Sequence, residues 1–96
     1  RYRDEPALAT LVRRLEGVLR ARSYVLIDYD VRADDLHRAT AITPGIESPT
    51  VSPLQNPDWV AVRSMVPRKD VNRVMDELYE VGARAILVCE LLACRL

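Results

Sequence analysis

Residues 42–57, ITPGIESPTVSPLQNP, hold four prolines and one glycine. Proline lacks a backbone N–H and clashes with the preceding turn, so this segment cannot be a helix. It divides the chain into two halves, and each must build its elements on either side of a loop. Within it, 47–54 can still be extended. Pro49 and Pro53 would confine such a strand to a sheet edge or make it irregular.

Before the loop, residues 5–22 read as a helix. Leu8, Leu11, Val12, Leu15 and Leu19 recur at helical spacing and make one apolar stripe. Asp4 suits the N-cap, and Pro6 the first turn. Arg13, Arg14, Arg20 and Arg22 fall on the other, solvated face. Residues 23–31, SYVLIDYDV, alternate as a strand, with Val25, Ile27, Tyr29 and Val31 on one side and Tyr24, Leu26, Asp28 and Asp30 on the other. A short helix is expected over 34–42, its two aspartates in the first turn and Leu36, Ala39 and Thr40 on its inner face.

After the loop, 59–66 alternates again. Val60, Val62 and Val66 face one way, and Trp59, Ala61, Arg63 and Met65 the other. Pro67 ends that strand. Residues 69–81 carry the strongest helical stripe, Val71, Val74, Met75, Leu78 and Val81, with Gly82 placed as its C-terminal cap. Residues 84–90 form a last strand. The expected class is α+β: a ferredoxin-like βαββαβ sandwich, with a four-stranded antiparallel sheet, two helices on one face and an extra N-terminal helix. The N-terminal helix, 1–22, reads as a connector to further domains, and 23–96 as the domain proper.

In that topology the face away from the helices displays Tyr24, Leu26, Asp28, Asp30, Trp59, Ala61, Arg63, Met65, Ala85 and Leu87. It is too apolar to stand comfortably in water, so a second layer is expected over it. Arg63 is placed to pair with Asp28 across the strands. Asp30 ends its strand near the expected return of the proline-rich loop, which offers the hydroxyls of Ser48, Thr50 and Ser52. A carboxylate, hydroxyls and loop N–H groups suit a zwitterionic ligand. The competing reading is a merely solvated Asp30 with hydroxyls closing local turns.

Lys+Arg number 14 and Asp+Glu 14, so the chain has no electrostatic footprint for nucleic acid or anionic membrane. An RNA-recognition module shares this strand order but needs aromatic residues on its central strands, and Phe is absent. No apolar run approaches the roughly 20 residues of a membrane span. With no signal peptide in view, the expected setting is cytoplasmic. The first residue is Arg1, not Met, and a piece of a longer protein is expected. Cys89 and Cys94 match no metal spacing and read as buried, reduced thiols. His37, the single histidine, reads as a surface residue. No nucleophile–base constellation and no phosphate-binding glycine loop occurs, so no catalytic residue and no metal site is assigned.

Three segments, ITPGIESPTVSPL (42–54), WVAVRSMVPRKDVNRVMDEL (59–78) and GARAILVCELLACRL (82–96), together closely resemble the C-terminal domain of long-form ATP phosphoribosyltransferase. The SYVLIDYDV strand fits too, so the resemblance covers residues 23–96. Such enzymes join ATP to phosphoribosyl pyrophosphate, with magnesium, in the first committed step of histidine biosynthesis. Their catalytic work belongs to two N-terminal domains, which the resemblance does not touch. The family's C-terminal domain is ferredoxin-like, binds L-histidine and transmits feedback inhibition through a hexamer. The resemblance therefore implies an allosteric domain that needs no cofactor of its own. Its partners are L-histidine, its own catalytic domains and further copies of itself. It implies that Asp30 receives the ligand's amino group or imidazole, and that Ser48 and Thr50 meet its polar groups. Ile46, Met65 and Ala85 then line the pocket, partly through backbone atoms or from a neighbouring subunit. The tail departs from the family pattern at Leu92, where relatives often carry a polar or charged residue. The alternative is a free-standing amino-acid sensor of the same fold.

Overall fold

The structure, a computed structural model, describes residues 6–45 and 48–92. Helix α1 spans Pro6–Ser23 and runs into strand β1, Tyr24–Arg32. A 3₁₀ turn over Ala33–Asp35 leads into α2, Leu36–Ile42. Strand β2 is Thr50–Pro53, β3 is Trp59–Pro67, and a second 3₁₀ turn, Arg68–Asp70, opens α3 over Val71–Glu80. Strand β4, Arg84–Glu90, closes the fold. The sheet order is β2-β3-β1-β4, with every neighbouring pair antiparallel. This is the expected βαββαβ arrangement with an added N-terminal helix.

Alternation in β1 decides which face is inside. Val25, Ile27, Tyr29 and Val31 are buried beneath the helices, and the residues between them are only half-covered. β3 contributes Val62, Ser64 and Val66 to the same side. α2 supplies Ala39, and α3 supplies Val74 and Leu78. Val71, Met75 and Val81 pack at the margin of that core, so the α3 stripe is placed as its spacing predicts.

Both ends of the loop segment are anchored by polar contacts. Tyr29 Oη and Thr43 Oγ1 share a buried hydrogen bond of 2.8 Å, and Ser64 Oγ donates to the Thr43 carbonyl at 3.0 Å. Burial raises the Tyr29 pKa above its ordinary value, a shift opposed by the Thr43 hydrogen bond. Gly45 follows at φ +74, and a Cβ there would come within 2.9 Å of Ser64 Oγ. At the other end, Asn56 Oδ1 accepts from the Asp58 N–H, and Ala33 N–H donates to the Asp58 carbonyl at 2.8 Å. α3 ends as its sequence predicts. Ala83 N–H reaches back to the Leu78 carbonyl and Gly82 N–H to that of Tyr79, with Gly82 at φ +93.

The structure differs from expectation in three places. The stripe of α1 is largely uncovered: Leu15 is 57% and Leu19 61% exposed, and the helix is tied down instead by buried Gly17 and Ala21. Arg68 Nε holds its last turn by donating to the Arg22 carbonyl. The second strand shrinks to four residues, because Pro49 before it and Pro53 at its end supply no ladder donor. Cys89 is a free, exposed thiol: it lies on an edge strand opposite Leu26, where no helix covers it. Asp4 and Cys94 lie outside the described residues. No helix among the described residues is long and apolar enough to cross a membrane.

Candidate functional site

The uncovered face of the sheet holds a depression of about 470 Å³. Strand register explains what lines it. Ala61 of β3 sits opposite Asp30 of β1 on one side and Ser52 of β2 on the other. Its methyl group is the smallest side chain in that row, and it makes the floor. One step along, Arg63 stands between Asp28 and Thr50. Ala85 and Leu87 of β4 complete the wall.

Asp28 and Arg63 form the cross-strand pair that the sequence predicts. Nε donates to Oδ1 at 2.7 Å and Nη2 to Oδ2 at 3.1 Å. That hydrogen bonding, reinforced by the charge of Asp28, raises the guanidinium pKa further above its already high value. Asp30 has a different situation. Its register partner on β4 is Arg84, yet that guanidinium lies over the Tyr79 ring, 4.9 Å from the centroid, and donates to the Ala83 carbonyl. Asp30 is therefore half-buried and has no salt bridge among the described residues.

A β-bulge makes this corner irregular. Asp28 pairs with Leu87 and Asp30 with Arg84, so Ala85 and Ile86 together oppose Tyr29. Ala85 takes φ 53, a left-handed conformation that a side chain disfavours by roughly 1–2 kcal/mol. Such bulges normally put glycine there, and they leave part of the ladder unpaired. Strain of this kind gathers where a sheet is shaped for a ligand.

Of the residues assigned from sequence, Asp30, Thr50 and Ala85 come together around this depression. Ser48 is exposed and does not line it. Met65, two residues beyond Arg63, instead borders a larger cavity of about 590 Å³, between the end of α2 and the first turns of α3. Ile46 lies outside the described residues. The larger cavity is floored by Ile42, Val66 and Val74, and its charged rim residues Asp70, Arg73 and Glu77 are occupied with one another. The smaller depression is the stronger candidate, since it presents Asp30, a carboxylate with no salt bridge among the described residues, beside the hydroxyls of Thr50 and Ser52. Ser52, one of the loop hydroxyls that the sequence offers to a ligand, also lines the depression, whereas Ala61 and Arg63 were not assigned to a ligand from sequence alone. Their alternation put them on the right face, and only the register across three strands gathers them.

Comparison with known proteins places the chain. The family model described as "HisG, C-terminal domain" matches residues 21–93. An ATP phosphoribosyltransferase of Pseudarthrobacter chlorophenolicus is 66% identical over 86 residues, 90% of this chain and 30% of the relative. One of Streptomyces coelicolor is 61% identical over 92 residues, covering 96% of this chain and 32% of the relative. One of Bifidobacterium longum is 56% identical over 93 residues, 97% of this chain and 33% of the relative. The chain thus spans about a third of the length of the curated relatives it matches.

Proposed function

The chain belongs to the family of HisG C-terminal domains, that of the ATP phosphoribosyltransferases, and on that premise we propose that it is a regulatory domain that binds L-histidine and passes feedback inhibition to such an enzyme. The observation that carries this reading is the convergence of Asp30, Thr50, Ser52 and the Ala85 bulge on one depression. Asp30 has no ion-pair partner among the described residues, so it is placed to receive an ammonium or imidazole N–H. The hydroxyls of Thr50 and Ser52 accept or donate as the ligand demands. Met65, which borders the other cavity of its own chain, completes the site from a neighbouring copy.

On this reading the chain regulates and does not catalyse. Among the described residues no cluster of three His, Cys, Asp or Glu side chains can hold a metal ion. The uncovered face also bears Leu26, Met65 and Leu87, the last 60% exposed. A second copy laid over that face would recover roughly 25 cal/mol for each Å² of apolar surface removed from water. A ligand held beside such a contact shifts the subunit arrangement by its difference in affinity for the two states. α1, with its stripe bare, serves as the connector to the catalytic domains, and the whole works in the cytoplasm.

The test is calorimetry with L-histidine and L-leucine, on a sample whose assembly is followed by sedimentation. Histidine binds in preference to leucine, and Asp30→Asn weakens it by about tenfold or more, as loss of a hydrogen bond between charged groups requires. Equal binding of leucine, or an unchanged affinity in folded Asp30→Asn, would overturn the reading.

A further inference from the structure

We propose that Arg63 is the anchor for the ligand's carboxylate, with Asp28 as the residue that positions it; this rests on the reading of the depression as an amino-acid site. A zwitterion needs one group of each sign. Arg63 is the single cation among the residues lining the depression, and Asp30 the single carboxylate there without a cation.

The guanidinium has donors to spare. Of its five N–H groups, Nε–H and one on Nη2 go to Asp28. The other N–H on Nη2 and both on Nη1 remain for an incoming oxygen. Its side chain is 60% exposed, so the remaining donors are reachable. The bidentate grip of Asp28 fixes the plane of the fork. It also occupies Asp28, so the ligand's ammonium is directed to Asp30.

Spacing supports the same assignment. Asp30 faces Ala61, and Arg63 is two residues further along β3, which makes the pair diagonal neighbours. Diagonal neighbours lie about 7–8 Å apart, within reach of a long side chain. The other two corners of this four-residue unit are Ala61 and Asp28. Thr50, directly across from Arg63, brings a hydroxyl to the same side. The carboxylate then sits toward β2 and β3, and the ammonium toward β1 and the bulge.

A merely structural cross-strand pair would look the same in a stability measurement, so the test must read the carboxylate itself. L-histidine and histamine differ by that group. Calorimetry on the full chain compares both ligands in wild type, Arg63→Met and Arg63→Lys, each checked for folding by circular dichroism. Wild type favours histidine over histamine. Arg63→Met loses about tenfold or more in histidine affinity, as expected for a hydrogen-bonded charge, and changes by less than about twofold for histamine. Arg63→Lys recovers part of the histidine loss, since a point charge replaces the fork. Equal losses for both ligands, or undiminished discrimination in Arg63→Met, would return Arg63 to a structural role while leaving the amino-acid site intact. If wild type binds neither ligand, the reading of the site falls and the anchor falls with it.

Discussion

Helices α1 and α3 both carry an apolar stripe at helical spacing, and the fold treats them in opposite ways. In α3, Val74 and Leu78 are buried to 2% and 0% exposure against β1 and β3. In α1, Leu11, Val12, Leu15, Val18 and Leu19 are all at least 41% exposed. The reason is where each helix meets the sheet. α3 is the return crossover between β3 and β4, so the chain must lay it across the sheet. α1 enters from outside the βαββαβ unit and is held to it near its last turns, through Gly17, Ala21 and the Arg68 contact. An 18-residue helix extends about 27 Å at 1.5 Å per residue. The 55 × 25 × 18 Å extents of the molecule reflect that projection. Periodicity identifies an apolar face; topology decides whether this chain is what covers it.

That contrast is open to direct attack. The largest effect is expected from Leu78→Ala, which removes a fully buried side chain and should destabilise by about 2–5 kcal/mol in urea unfolding. A loss below about 1 kcal/mol would mean that α3 is not the keystone its burial indicates. Tyr29→Phe, on the same covered side, deletes the 2.8 Å bond to Thr43 and should destabilise by about 0.5–1.5 kcal/mol. It has a pH signature as well. Burial holds the folded phenol above the 10.0 of an ordinary tyrosine. The unfolded chain therefore ionises first. The associated stability is complete below about pH 10 and is lost as pH rises toward the folded value. Wild type should lose unfolding free energy above about pH 10 more steeply than Tyr29→Phe; parallel curves would show that the buried phenol does not contribute. The smallest effect belongs to α1, where Leu15→Ala should move the stability of this chain by no more than about 0.5 kcal/mol. A loss like that of Leu78→Ala would show that the stripe is covered in solution by another copy.

The sequence revealed whatever depends on local periodicity or on a single special residue. Alternation in β1 and β3 assigned Val25, Ile27, Val62 and Val66 to the core, and placed Arg63 beside Asp28. Gly82 marked the end of α3 because few other residues adopt its conformation. Features that depend on an irregular register, or on three strands aligned at once, were not legible. The bulge puts an alanine, not a glycine, at positive φ, so residue 85 carries no mark of its conformation. Met65 shares a face with Arg63, but two residues along a strand span about 6–7 Å, enough to put it on a different cavity. Cys89 escaped the usual burial of thiols because its strand is at an edge and its side chain points away from the helices. Such a side chain is buried only if another molecule arrives.

The two edges of the sheet are unlike each other. β2 is four residues long and is bounded by Pro49 and Pro53, neither of which has an N–H to offer. β4 has seven residues, six of them exposed. An extended peptide approaching β2 finds a ladder with rungs missing, whereas at β4 it finds a longer run of backbone interrupted only by the bulge. Lengthening of the sheet by recruited strands is thus open at one margin and obstructed at the other. Head-to-tail stacking into an endless ribbon would use both margins, and the prolines that shorten β2 block the second. Repeated growth by edge addition is therefore disfavoured beyond a single step at the β4 margin.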